Sequence, residues 1–185
     1  MCSSDLRIQK LAYDDDGLDL DNSFILGDNM FTSLSGIAVH KEGQNVYVYA
    51  LDSGSRKIYR FLNNDLDTSW GNNGSIGGTL GNGDGEFRNP SAIDVEEIDS
   101  NDNNTNLLIY VTDTDNNRIQ VFNKDGSFKS KWGLEGSDPG EFKKPKGIGI
   151  YKSSTDSSAR AYITEDGGTD SNTSSILKPR LQVFQ

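Results

Sequence analysis

Short apolar segments alternate with turn-rich segments along the whole chain. In the clearest stretch, β-branched and aromatic residues predict strands over residues 92–95, 107–113, 118–122 and 127–132. Asp, Asn and Gly cluster between these segments and are typical of tight turns. No stretch sustains the 3.6-residue apolar period of an amphipathic helix. The pattern predicts an all-β fold of antiparallel strands.

The same pattern recurs along the chain. The segment EFRNP at residues 86–90 returns as EFKKP at residues 141–145, which is 55 residues later. An earlier, weaker copy begins at Phe31, and the segment RLQVF at 180–184 repeats RIQVF at 118–122. Self-similarity at such a period indicates a propeller or a solenoid.

The repeats predict three four-stranded blades and a remnant of another. The blades span about 30–71, 86–133 and 141–185, and the remnant spans about 7–27, where RIQKL opens like the strand at 118–122. We expect a partial propeller, because the pattern begins and ends on such a strand. Residues 1–6, MCSSDL, match the translation of a common sequencing adapter, so we expect this segment to be non-native.

Three polar insertions separate the predicted strands. They cover residues 96–106, 153–158 and 166–179 and are rich in Asp, Asn and Ser. Variable loops on a rigid scaffold are typical binding elements. The candidate binding residues are Asp99, Asn101, Asp102, Asn103, Asp166, Asp170 and Asn172.

The order of motifs resembles a known repeat. A Gly-rich turn, Phe, Pro, Ile-x-Val, Tyr-Val-x-Asp, Asn-x-Arg-Ile-Gln-Val-Phe, Asp-Gly and Trp-Gly resemble the NHL repeat over about residues 7–185. The resemblance implies a β-propeller, commonly six-bladed. Two departures are the segment KIYRF at 57–61, in place of Arg-Ile-Gln, and Glu165 in the place of an Asp.

An acidic and a basic residue flank the turn between the predicted second and third strands of each blade. Asp113 and Arg118 face each other across a four-residue turn, so they can form an ion pair while the carboxylate accepts turn amides. The other such pairs are Asp52 with Lys57 and Glu165 with Arg180. Because the pairing recurs, we expect it to be structural. The alternative is that these carboxylates line one rim and bind a ligand or cation.

Two further segments are weak candidates for ligand binding. Residues 81–85, GNGDG, lack the Lys-Ser/Thr and the helix of a phosphate-binding loop, so we expect a connector between blades. An acidic cluster containing Asp14, Asp16 and Asp19 offers oxygen ligands for Ca²⁺ but lacks the terminal Glu of an EF-hand loop. We therefore expect no cofactor, with Ca²⁺ as the open alternative.

The single histidine and the two tryptophans are expected to be structural. His40 is the only histidine, so this segment cannot assemble a His-rich zinc site or a His-supported nucleophile. It follows an apolar triplet, and we expect it to end a strand. Trp70 and Trp132 each precede Gly at the predicted end of a fourth strand, and we expect both to pack inside the fold.

The amino-acid composition limits the classes of partner that the chain is expected to bind. The chain has 28 acidic and 18 basic residues and a net charge of −10, which opposes binding to phosphate backbones, so nucleic acid is not expected. No apolar segment reaches the roughly 20 residues of a membrane span. With a single cysteine, Cys2, no internal disulfide can form. The acidic, turn-rich composition is compatible with a cytoplasmic protein and favours an exported or cell-surface protein of a prokaryote.

These observations favour a noncatalytic propeller scaffold whose loops bind a protein, peptide or glycan. The alternative is part of a six-bladed propeller enzyme, lactonase-like or lyase-like, with a divalent metal in the central channel and most site residues in other blades. A third possibility, implied by the resemblance to animal NHL proteins, is RNA recognition, which the acidity opposes.

Overall fold

The computed structural model describes residues 7–14, 17–27, 29–99, 105–152, 159–167 and 180–184. These residues form antiparallel strands and one 3₁₀ turn, and no α-helix occurs among them. The all-β prediction is confirmed.

The strands form four successive sheets. The first sheet contains β1 (Ile8–Asp14) and β2 (Gly17–Leu26). The second sheet contains β3 (Leu34–Glu42), β4 (Asn45–Asp52), β5 (Lys57–Leu62), β6 (Asp65–Leu66) and β7 (Ser75–Gly77). The third contains β8 (Pro90–Asp99), β9 (Thr105–Asp113), β10 (Arg118–Asn123) and β11 (Phe128–Trp132), with the 3₁₀ turn at Thr114–Asn116. The fourth contains β12 (Pro145–Lys152), β13 (Ala159–Glu165) and β14 (Arg180–Phe184).

Consecutive strands pair within each sheet, with one exception at the edge of the second sheet. The third sheet has the order β11-β10-β9-β8, which is the predicted four-stranded blade. In the second sheet β6 and β7 both pair with β5, so two short strands share the outer position. The turn between them places Asn73 and Gly74 at positive φ, which interrupts the strand. Among the described residues, the fourth sheet has three strands.

A backbone irregularity confirms that the sheets are structural repeats. The pairing of the first and second strands shifts register between residues 34 and 36 in the second sheet, 90 and 92 in the third, and 145 and 147 in the fourth. The same bulge therefore occurs at the start of three first strands. A bulge at a fixed place in a repeat is a specified feature of the backbone.

Successive sheets pack face to face. The most extensive contacts between sheets join the first strands β3, β8 and β12. A carboxylate oxygen of Asp94 in β8 accepts the backbone N–H of Ile150 in β12 at 2.6 Å. Between the second and third sheets, Tyr49, Leu51 and Ile58 belong to one buried cluster with Ile109 and Val111. Sheets that meet through their first strands and pack face to face are the blades of a β-propeller.

The connecting loops enter each sheet through a buried aromatic ring. Phe87 and Phe142 occupy matching positions in the repeated sequence, and both are fully buried. Gly77 and Gly133 precede these loops at φ 87° and 100°. A Cβ on Gly133 would lie 2.5 Å from the Phe142 ring, so only glycine allows this approach.

Two local predictions are wrong. The polar insertion predicted over 96–106 is partly strand, because β8 continues to Asp99 and β9 begins at Thr105. The acidic residues 96 and 97 pair across the sheet with the buried residues Leu108 and Leu107, and this pairing outweighs their polarity. His40 does not end a strand, since β3 runs on to Glu42.

Candidate functional site

A buried carboxylate ends the second strand of three sheets, at Asp52, Asp113 and Glu165. In the third sheet, one oxygen of Asp113 accepts the backbone N–H of Arg88 at 2.7 Å. The other accepts Nε–H of Arg118 at 2.8 Å, so the predicted pair forms. Both oxygens are thus used inside the fold.

The rest of the Arg118 guanidinium holds the preceding connecting loop. Its Nη1 donates to the carbonyl of Asn82 at 2.6 Å, and its Nη2 donates to the carbonyls of Gly83 at 2.8 Å and Glu86 at 3.0 Å. The glycine-rich segment 81–85 therefore presents carbonyl oxygens to a buried cation. This arrangement is opposite to a phosphate-binding loop, which presents N–H groups.

Gln120 holds the same loop from the neighbouring position on β10. Its amide nitrogen donates to the carbonyl of Glu86 at 2.7 Å, and its amide oxygen accepts the N–H of Gly85 at 3.0 Å. Its nitrogen also lies 3.2 Å from the Asp113 carboxylate. We call the carboxylate, Arg and Gln of one sheet a loop clasp.

The fourth sheet repeats the loop clasp with Glu165, Arg180 and Gln182. Arg180 bonds the Glu165 carboxylate and the carbonyl of Ser137, and its Nη2 donates to the carbonyl of Glu141 at 2.5 Å. Gln182 donates to the same Glu141 carbonyl at 2.7 Å. The Asp-to-Glu change therefore preserves the contacts.

The second sheet departs from this arrangement. Asp52 accepts the N–H groups of Thr32 at 2.9 Å and Ser33 at 2.6 Å, and the Ser55 hydroxyl at 2.7 Å. Among the described residues no ion pair joins Asp52 to Lys57, although the two are register partners. The Lys57 ammonium lies 5.9 Å from the centre of the Tyr59 ring. The predicted Asp52–Lys57 ion pair is wrong.

Hydrogen bonds keep Asp52 ionised. Burial disfavours the charge, but the N–H of Thr32, the hydroxyl of Ser55 and the N–H groups of Ser33 and Gly54 outweigh it, so the pKa of Asp52 lies below its ordinary value. The carboxylate is a turn-stabilising group, as predicted for a structural feature.

The candidate binding residues lie at opposite ends of the strands. Asp99 lies at the end of β8 where β8 turns into β9, and Asp166 follows β13 at the other end of its sheet. Asp166 is exposed, and its N–H donates to the carbonyl of Lys144 at 3.1 Å. The remaining candidates, Asn101, Asp102, Asn103, Asp170 and Asn172, lie outside the described residues, as do Cys2 and the segment 1–6.

The weak metal candidates are not brought together by described contacts. Asp14 and Asp19 lie in β1 and β2, where their backbone partners are Gly17 and Ala12, and Asp16 is outside the described residues. Within the described ranges, no group of three or more His, Cys, Asp or Glu side chains could hold a metal ion.

A charged and aromatic cluster joins the second and third sheets. Arg60 pairs with Asp67 at 2.6 Å and lies over the Trp70 ring, 5.1 Å from its centre. The carbonyl of Lys124 accepts both Arg60 Nη1 at 3.1 Å and Trp70 Nε1 at 2.9 Å. Trp70 is 2% exposed, which confirms its packed role, but it lies between β6 and β7 rather than at a strand end.

Sequence reasoning missed this cluster. Its available signal was Arg60, a cation in the middle of β5, in the place that Val121 takes in β10. At the same end of the strands His40 Nε2 lies 3.3 Å from Glu97, without hydrogen-bond geometry. The bonds from Arg60 and Trp70 to the Lys124 carbonyl stabilise the contact between the second and third sheets.

Comparison with known families agrees with the topology. The chain contains blades of a β-propeller, and residues 93–156 match the model of a family described as a 6-bladed β-propeller. This match covers most of the third sheet and the first strand of the fourth. No curated protein matches the chain. In the described part of the chain, no helix is long and apolar enough to cross a membrane.

Proposed function

We propose that this protein is a noncatalytic NHL-type propeller scaffold whose loops bind a protein, peptide or glycan. The observation that carries the proposal is the loop clasp. The recurring polar side chains Asp113, Arg118 and Gln120 are consumed in holding a connecting loop, and Glu165, Arg180 and Gln182 are consumed in the same way. What differs between blades is the loops.

The loop at 166–179 is the first candidate for ligand contact. It begins at exposed Asp166, beside the basic residues Lys143 and Lys144 of the preceding connecting loop. The candidate residues Asp166, Asp170 and Asn172 would act here. The hairpin loop with Asp99, Asn101, Asp102 and Asn103 would form a separate contact at the opposite end of the strands.

The test replaces each loop and measures binding to defined probes. One variant replaces residues 168–179 with a short Gly-Ser linker, and another replaces residues 100–104. The probes are a microarray of defined glycans and a phage-displayed library of random dodecapeptides. We expect a probe that binds the native chain to lose at least about tenfold in affinity with one loop variant. The exposed-turn substitution Gln44→Ser is the matched control and should retain binding.

Two results would contradict the proposal. Binding that survives both loop replacements would show that the insertions are not the recognition elements. Hydrolysis or elimination that requires an added divalent metal would instead support the lactonase-like or lyase-like alternative.

A further inference from the structure

One turn position carries different side chains in the second and third sheets. Arg56 and Asn117 each stand directly before the third strand of their sheet, and both have left-handed backbones, with φ 59° and 52°. A Cβ on Gly77 would lie 2.5 Å from the Arg56 carbonyl, and a Cβ on Gly133 would lie 3.0 Å from the Asn117 carbonyl. The two side chains therefore start from equivalent places in successive sheets.

Asn117 satisfies a backbone N–H of the next sheet, which Arg56 cannot do. The side-chain oxygen of Asn117 accepts the N–H of Lys144, directly before β12, at 2.9 Å. Asn89 is the corresponding residue before β8 and has the same backbone conformation, with φ 54° against 56° for Lys144. A guanidinium has only donors, so Arg56 cannot accept the N–H of Asn89. In the described part of the chain this N–H has no hydrogen-bond acceptor.

The Arg56 guanidinium is itself incompletely bonded. Its Nη1 donates to the carbonyl of Gly54 in the same turn at 3.4 Å, which is long for a hydrogen bond. Its Nε is buried and has no acceptor. No ion pair joins Arg56 to an acidic side chain among the residues that the structure describes. A guanidinium and a backbone N–H that both lack an acceptor are the donors that bind a carboxylate.

Further cations without an acidic partner lie at the same end of the strands. They stand in the segments that enter the third and fourth sheets, and none forms an ion pair with a described acidic side chain. With Arg56 they make up what we call the basic cluster: Arg56, Arg88, Lys143, Lys144 and Lys146. In a chain with a net charge of −10, this local excess of positive charge favours an anionic ligand.

Two exposed aspartates separate the cations and restrict the class of anion. The N–H of Asp115 donates to the carbonyl of Arg88 at 3.0 Å, and the N–H of Asp166 donates to the carbonyl of Lys144 at 3.1 Å. A polyanion with a charge on every unit, such as RNA, would place like charges against these carboxylates. A peptide can alternate acidic with neutral residues, so its carboxylates can meet the cations and avoid the aspartates.

We propose that the basic cluster binds an acidic peptide segment of a partner protein, with one carboxylate held by Arg56 and the N–H of Asn89. Further acidic residues of the peptide pair with the exposed lysines that enter the fourth sheet. The site uses neither the loop at 100–104 nor the loop at 168–179, so it goes beyond the function proposed above. Loss of binding at one surface leaves binding at the other testable.

The probe is a dye-labelled peptide of alternating Glu and Gly with blocked termini, and its control has Gln in place of Glu. Fluorescence anisotropy measures binding to the full chain in about 50 mM salt, where charges are weakly screened. We expect saturable binding of the Glu peptide and at least about tenfold weaker binding of the Gln peptide. A short polyuridine RNA and a galacturonate oligomer, which represent uniform polyanions, should bind more weakly than the Glu peptide.

The variant Arg56→Asn separates binding from folding. Asparagine tolerates the left-handed conformation, and its oxygen can accept the N–H of Asn89 as Asn117 accepts that of Lys144, so the unfolding temperature should not fall. Affinity for the Glu peptide should fall about tenfold or more. Lys129→Asn removes the same charge from an exposed position on β11 and should change affinity less than about twofold.

A second variant, Arg56→Lys, keeps the charge but loses the guanidinium fork, and should weaken binding about threefold or more. Circular dichroism checks that each variant folds, and if Arg56→Asn does not fold, Arg56→Lys decides. Three results would overturn the proposal. They are a native chain that does not distinguish the Glu peptide from the Gln peptide, folded Arg56 variants with native affinity, and tighter binding of the RNA or the galacturonate oligomer than of the Glu peptide.

Discussion

The second and third sheets hold the connecting loop that precedes each of them in different ways. In the third sheet, Arg118 and Gln120 bond backbone carbonyls of the loop that precedes it. In the second sheet, the equivalents Lys57 and Tyr59 make no such bonds to the described residues of the preceding loop. There the Tyr59 ring packs edge-on against Phe31, with ring centres 5.6 Å apart. The comparison shows that one backbone frame tolerates either a polar or an aromatic solution, provided that the carboxylate at the end of the second strand is kept.

The largest expected change in the free energy of unfolding comes from removing the Arg118 guanidinium. Arg118→Met should destabilise the protein by about 3–5 kcal/mol, because it removes the cation that pairs with the buried Asp113 carboxylate and its hydrogen bonds to three backbone carbonyls. Lys57→Met should cost less than about 0.5 kcal/mol, since Lys57 makes no ion pair with Asp52. Urea denaturation measures both changes. Equal losses would show that the two sheets do not differ as described.

The second prediction concerns the glutamine. Gln120→Leu should destabilise the protein by about 1–3 kcal/mol, because the N–H of Gly85 loses its acceptor and the carbonyl of Glu86 loses one of its two donors. Tyr59→Phe keeps the ring against Phe31 and should change the free energy of unfolding by less than about 0.5 kcal/mol. Parallel urea titrations check the pair. A loss on Tyr59→Phe as large as that on Gln120→Leu would refute the assignment of an aromatic role to Tyr59.

The third prediction uses pH. The pKa of Asp52 is lowered in the folded state, since hydrogen bonds to the charged form outweigh the effect of burial. Its contribution to stability is therefore fully present above its ordinary pKa of 3.8 and is lost as the pH falls through the lower folded value. Asp52→Asn should cost about 1–2 kcal/mol at pH 7 and flatten the acid side of the stability profile. Denaturation between pH 7 and pH 3 tests this, and an unchanged slope would contradict it.

The prediction with the smallest expected effect compares two serines, Ser91 at the bulge of the third sheet and Ser35 at the bulge of the second. The Ser91 hydroxyl lies 2.8 Å from the carbonyl of Lys146 and 2.7 Å from the Thr114 hydroxyl. Ser91→Ala should cost about 1 kcal/mol, the usual net value of a hydrogen bond. Ser35→Ala should cost less, because the Ser35 hydroxyl makes only long bonds of 3.3 Å to Leu51 and Pro90. Thermal unfolding ranks the two variants, and the reverse order would contradict the geometry.

Sequence patterns predict the repeated strands and turns of this protein better than the contacts that its side chains make. The repeated Phe and the turn pair Asp113–Arg118 were predicted, because each depends on spacing along one hairpin or on one recurring position. The reach of Arg118 to carbonyls at 82 and 83 was not, since a backbone acceptor leaves no trace in the side-chain sequence. The prediction of an Asp52–Lys57 ion pair was wrong for a related reason. The backbone N–H groups of Thr32 and Ser33 bond the Asp52 carboxylate, and the side-chain sequence does not show this.

Contacts between sheets were the least predictable. Arg60 meets a carbonyl 64 residues away, and no local pattern encodes that distance. The strand extension at 96–99 was missed because acidic residues stand opposite buried leucines. The candidate loops were identified by composition alone, which carries no information about their position relative to each other.

The loop clasp also sets an order of events during synthesis. Arg118 closes on a carbonyl 36 residues behind it, so the segment at 82–86 stays open on the ribosome until β10 has been translated. At roughly 5–20 residues per second, translation of that interval takes about 2–7 s. The segment at 137–141 waits for Arg180 in the same way, 43 residues on. The third and fourth sheets thus fix their connecting loops only after their own third strands have been translated, so these loops become fixed in the order in which the chain is made.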